Sequence, residues 1–108
     1  MIRPTEKKFT ADIMGIGEFT FKYTTLLDEI KIDNQLAAFL KGNERPSLSA
    51  ENIAAMISTL MVAVVKSPED FDLNEIVNYD ELKAVYDAYS EKVNPFRRRE
   101  GNTKTGAA

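Results

Sequence analysis

The sequence predicts an α+β domain, mostly α-helical, in which an N-terminal β-hairpin precedes about three helices and a disordered basic C-terminal tail. Three observations carry that expectation. Apolar residues alternate with polar ones over residues 7–23, the period-two signature of paired, half-buried strands. Residues 52–65 contain no charge, and apolar residues step by three and four over 79–96, the spacing of helices that bury a face. The chain has 108 residues, the length of a single domain. It divides into a folded body over 1–96 and a flexible tail over 97–108.

In the hairpin, pairing Ile13 with Phe19, Ala11 with Phe21 and Phe9 with Tyr23 puts every apolar side chain on one face. That register makes Gly15-Ile16-Gly17 the loop and sets Met14 opposite Glu18, with glycines where left-handed backbone is needed. A one-residue slip would bury Asp12 and Lys22. Thr10, Asp12, Thr20 and Lys22 then form a face that is solvated or covered by a partner.

The first helix is expected over 25–41, capped by Thr24 or Thr25, with Asp28 and Glu29 in its first turn and Gly42-Asn43 as the stop. Its apolar residues only approximate one stripe, and the alternation over 29–33 makes a short strand the competing reading. The second helix is expected to start at Ser49 and run to about Val65, with Leu48 and Ile53 as a hydrophobic staple. Apolar residues cover more than one of its faces, so it is either the buried centre or the bearer of an exposed binding face. About 14 uncharged residues are too few for a membrane span, which takes roughly 20. An acidic connector over 67–78 leads to a third, amphipathic helix, where Asn78 and Glu81 stand at capping-box spacing.

The absence of His, Cys and Trp excludes thiol and Ser-His chemistry, disulfides and ordinary zinc, copper or haem sites. What remains for an enzyme is carboxylate acid/base work or oxygen-ligated Mg²⁺ or Ca²⁺. Glu69, Asp70, Asp72 and Glu75 are the one dense acidic cluster, and it lacks the glycine and terminal glutamate of a calcium loop. A solvated connector is the simpler reading. Gly15-Ile16-Gly17 lacks the third glycine and following helix of a dinucleotide loop, which leaves a hairpin turn. These absences point to a non-enzymatic protein with no cofactor and no metal.

Arg97, Arg98, Arg99 and Lys104 against Glu100 give the tail a net charge of +3, and the whole-chain value of −3 leaves −6 on the body. An acidic body repels phosphate backbones, which argues against nucleic acid as the partner, although a small regulator using the tail is an alternative. Residues 1–8 contain no apolar signal-peptide core, so a cytoplasmic location is expected. The hairpin edge and the excess of apolar helix surface leave room for a homo-oligomer.

The order of elements carries a resemblance. Phe19-Thr20-Phe21-Lys22-Tyr23 closes the hairpin, Leu27-Asp28-Glu29-Ile30 opens a helix, and the uncharged helix ends in Lys66-Ser67-Pro68. Phe71-Asp72 and a Tyr79-Asp80-Glu81-Leu82 helix follow, running into Asn94-Pro95-Phe96-Arg97. Over about residues 18–97 this pattern resembles the small tail assembly chaperones of long-tailed bacteriophages. The resemblance implies a bacteriophage protein of the host cytoplasm whose partner is the tape measure protein. It would hold that protein soluble and extended while tail tube subunits polymerise around it, and leave before the virion is complete. The family often makes a longer frameshifted product, which a loosely structured tail would suit. Another small morphogenesis or structural subunit, a connector or tail accessory, is the alternative.

A chaperone of apolar polypeptide needs exposed apolar grooves on a charged, soluble exterior. The central helix and the tyrosine face of the third helix are the expected source, with Met56, Leu60, Met61, Tyr86 and Tyr89 at or beside the groove. Each is apolar or amphipathic, and methionine adapts readily to varied partners.

Overall fold

The computed structural model describes residues 7–43, 45 and 47–97, with the side chain of Arg97 left aside. The expected tail from residue 98 onward lies outside the described residues. The elements are β1 (Lys8–Ile13), β2 (Gly17–Lys22), α1 (Leu26–Phe39), α2 (Leu48–Ala63), β3 (Val64–Lys66) and α3 (Tyr79–Arg97). The expected α+β architecture holds, with the hairpin enlarged to an antiparallel three-stranded sheet in the order β1-β2-β3.

The hairpin register differs from the expected one by two residues. Phe9 lies opposite Phe21, Ala11 opposite Phe19, Asp12 opposite Glu18 and Ile13 opposite Gly17. A two-residue shift keeps every side chain on its original face, so the apolar pattern cannot distinguish the two registers. The turn decides. Gly15 takes φ +82° inside the loop and Gly17 takes φ +135° as the first residue of β2, while the Ile16 amide donates to the Ile13 carbonyl at 2.9 Å. A β-carbon on Gly17 would sit 2.7 Å from Cγ of Pro68, so the residue also makes room for the connector.

The third strand replaces the end of the expected second helix. α2 stops at Ala63, and Val64 turns to extended backbone. Val64 pairs with Phe21 and Lys66 with Thr20, leaving Val65 as a bulge. No glycine or proline interrupts the apolar run before Pro68. The break comes from tertiary pairing, because β2 offers a second edge and β-branched valines suit it. At its start α2 is longer than expected: the cap is Ser47, whose Oγ accepts from the Ala50 amide at 3.0 Å, and Ser49 lies inside the helix.

α1 is helical throughout 29–33, which removes the competing strand. Thr25 is its cap: the Thr25 hydroxyl accepts from the Asp28 amide at 3.1 Å and the Asp28 carboxylate accepts from the Thr25 amide at 2.9 Å, a reciprocal capping box. At α3, the Asn78 side chain accepts from the Glu81 amide at 3.2 Å. Pro95 lies in its last turn.

The core sits between the inner sheet face and the two long helices. Phe9, Phe19 and Phe21 meet Met56, Leu60 and Ala63 of α2 and Leu82, Val85, Tyr89 and Val93 of α3. The aromatic rings form a continuous set, Phe19 with Phe21 at 5.8 Å, Phe19 edge-on to Phe71 at 4.8 Å, and Phe21 with Tyr89 at 5.9 Å. Burying each such side chain contributes about 1.5–3 kcal/mol relative to exposure, so this cluster holds the fold together.

Candidate protein-binding surface

The five residues expected at a groove separate into two groups. Leu60 and Tyr89 are fully buried and Met56 nearly so, all within the central cluster. Tyr89 is further fixed by its phenol, 2.6 Å from the Thr24 hydroxyl; burial pushes that phenol's pKa up, and the Thr24 bond only partly offsets it. These three side chains therefore hold the fold, and in this conformation little of their surface is free for a partner. Met61 is 42% exposed and Tyr86 is half-buried.

Two shallow clefts flank the positions. One, of about 290 Å³, lies between the end of α2 and the connector, where Met61 and Leu60 face Phe71 and Leu73. The other, of about 230 Å³, lies between α2 and α3, with Met56, Tyr79 and Tyr86 along it and the Lys83–Asp87 pair, 2.8 Å apart, at its rim. The Asp87 carboxylate raises the Lys83 pKa above its ordinary value. Met61 and Tyr86 thus stand at different clefts.

Among the described residues, α1 carries a run of exposed large apolar side chains at a place that sequence reasoning did not single out. Leu26 is 87% exposed, Leu27 64% and Ile30 58%. At about 100° per residue, Leu26, Ile30 and Ala37 fall on one arc with Leu27 beside it, and Ile32, Leu36, Phe39 and Leu40 fall on the arc next to it. On the second arc Ile32 is buried and Leu36 and Leu40 are partly covered, with Phe39, 51% exposed, at its edge. The first faces water. The irregular apolar spacing of α1 was the available signal, because two apolar arcs on one helix leave one without an intramolecular partner.

The exposed face is held in place at its root. Lys22 reaches from β2 to Asp28 at 2.9 Å. Burial alone would raise the Asp28 pKa, but the Thr25 amide and the Lys22 ammonium outweigh it and hold the carboxyl below its ordinary value. Thr24, one residue before the cap, bonds Tyr89 of α3. The first turn of α1, with its exposed leucines, is therefore oriented by ties to the sheet and to α3.

The acidic connector folds into turns. The Phe71 amide donates to the Pro68 carbonyl at 3.0 Å, the Glu75 amide to the Asp72 carbonyl at 3.1 Å, and the Asn74 amide to the Asp72 carboxylate at 2.9 Å. Among the described residues no three carboxylates converge as a metal-ligand set, and no helix is long and apolar enough to cross a membrane. Comparison with family models, with curated proteins and with solved structures finds no match.

Proposed function

We propose that this chain is a non-enzymatic bacteriophage tail assembly chaperone, acting in the host cytoplasm, that binds apolar segments of the tape measure protein and keeps them soluble during tail tube assembly. The observation that carries the reading is the exposed arc of Leu26, Leu27 and Ile30 on a helix whose root is tied down. An amphipathic or apolar helical segment can lie along such an arc through anchors three and four residues apart. The charged exterior keeps the carrier itself in solution. Met61 and Tyr86, at the two clefts, extend the reading to further contact points.

The test is co-expression with the tape measure protein from the same gene cluster, followed by pull-down and a solubility assay. Soluble co-purification is expected for the parent chain, and its loss for Leu26→Lys/Ile30→Lys with an unchanged circular dichroism spectrum. A tape measure protein equally soluble alone, with no co-purification, overturns the proposal and favours another morphogenesis or structural subunit.

A further inference from the structure

The outer face of the hairpin carries an unusual arrangement of charge. Lys8 lies directly opposite Lys22, and Asp12 directly opposite Glu18, with the threonine pair Thr10 and Thr20 between them. Like charges in directly opposed positions destabilise an antiparallel pair. Lys22 is drawn away to Asp28 at 2.9 Å, but among the described residues neither Lys8 nor Asp12 has an ion-pair partner at 4 Å or less. Both side chains are exposed, as is Thr10.

Among the described residues, these same three present an unpaired edge of the sheet. The Tyr23 amide donates to the Lys7 carbonyl at 3.0 Å, which marks Lys7 and Tyr23 as a hydrogen-bonded pair. Strict alternation along an antiparallel ladder then makes Phe9, Ala11 and Ile13 the residues whose backbone groups bond β2. Lys8, Thr10 and Asp12 direct their N–H and C=O groups away from it. β1 is the outer strand of the sheet order, has no proline and shows no bulge against β2, so it lacks two devices that usually block edge pairing.

We propose that two copies of the chain pair through β1, antiparallel across a two-fold axis at Thr10, so that Lys8 of each copy lies opposite Asp12 of the other. Three conditions select this register. Residues with outward backbone groups must oppose one another, which leaves Lys8, Thr10 and Asp12 as mutual partners. Opposed side chains must share a face, which this register satisfies with Phe9 opposite Ala11 beneath. Charges must complement, and among the allowed registers that oppose two or more of these residues only the one centred on Thr10 sets Lys8 against Asp12 on both sides of the axis. The interface is isologous, as a closed dimer requires, and joins the two sheets into one of six strands. It uses the sheet edge and leaves the α1 arc of the proposed function free, so the two proposals stand or fall separately.

The test is sedimentation analysis of the full chain with Asp12→Lys, Lys8→Asp and the double swap. Each single change puts opposite charges across the hairpin, against Glu18 or Lys22, and so improves the isolated hairpin while placing like charges across the dimer axis. Each is expected to weaken dimerisation roughly tenfold or more, from two symmetric pairs turned repulsive, with thermal stability kept. The double swap keeps opposite charges across the hairpin, returns opposite charges across the dimer axis and is expected to restore the dimer. Thr10→Cys would give the chain its sole thiol, and Cα atoms about 5.5 Å apart in a hydrogen-bonded pair lie within disulfide reach. That variant is expected to cross-link and Lys8→Cys is not. A parent chain that stays monomeric at every concentration reached, or single changes without effect, or a double swap that fails to rescue, overturns the proposal.

Discussion

Along α3 the apolar residues Leu82, Val85, Tyr89 and Val93 are all buried, whereas along α1 only Ile32 is, while Leu26, Leu27 and Ile30 stand in solvent. The two helices draw on the same kinds of side chain, so composition does not separate them. Position does. α3 lies against the aromatic inner face of the sheet and against α2, and its apolar residues repeat on one stripe that this surface covers. α1 packs on α2 alone among its major contacts, and a helix with two apolar arcs can cover only one of them on a single neighbour. Apolar surface that the fold covers becomes stability, and surface it leaves bare is available to a partner.

The most damaging change belongs to the covered region. Phe19 is fully buried, stacked on Phe21 and edge-on to Phe71, so Phe19→Ala is expected to cost about 3–5 kcal/mol. That is much of the stability of a small domain, and a urea midpoint should show it. An effect below 1 kcal/mol would mean that the sheet does not pack as described.

Next comes the hinge between sheet and connector. Gly17→Ala forces a side chain onto φ +135° and into Pro68, with an expected cost of about 1–3 kcal/mol. The same change at Gly15, where nothing lies within 4 Å of the added carbon, meets only the backbone strain of φ +82°. The difference between the two variants in denaturation measures the contact with Pro68 together with the greater backbone strain at φ +135°.

The root of α1 gives a smaller effect. Thr25→Ala removes half of the capping box, and about 1 kcal/mol should be lost. Asp28 adds a pH dependence whose sign follows from its lowered pKa. Its contribution is complete above the unfolded value of 3.8 and is lost as pH falls through the still lower folded value. Asp28→Asn should therefore narrow its stability gap to the parent at the acid end of a pH series, and a gap that widens there would contradict the Lys22 pairing.

Much of this was legible in the sequence. Alternation at 9, 11, 13 and 19, 21, 23 named the strands and their inner face, and the stripe through Leu82, Val85, Tyr89 and Val93 named the buried side of α3. The hairpin register was hidden because a two-residue shift preserves the pattern. β3 was hidden because Val64 and Val65 continue an apolar run, and only the pairing of Val64 with Phe21 and Lys66 with Thr20 makes this segment a strand. Of the expected groove residues, Met56, Leu60 and Tyr89 are buried, which the sequence does not reveal because an all-round apolar helix and a tyrosine stripe look alike whether they face a core or a partner. Leu26 and Ile30 were passed over because exposure is a property of the packed fold, and α1's uneven spacing signals it only once Ile32 is known to face inward.

The smallest stability effect is expected where the largest loss of binding is. Leu26→Lys/Ile30→Lys replaces side chains that are 87% and 58% exposed, so a urea midpoint should move by no more than about 0.5 kcal/mol per site. Measured on one preparation alongside co-purification of the tape measure protein, the midpoint should be unchanged and binding abolished. A midpoint lowered by several kcal/mol, or full binding by the stable variant, would contradict the claim that the bare arc of α1 is the partner surface.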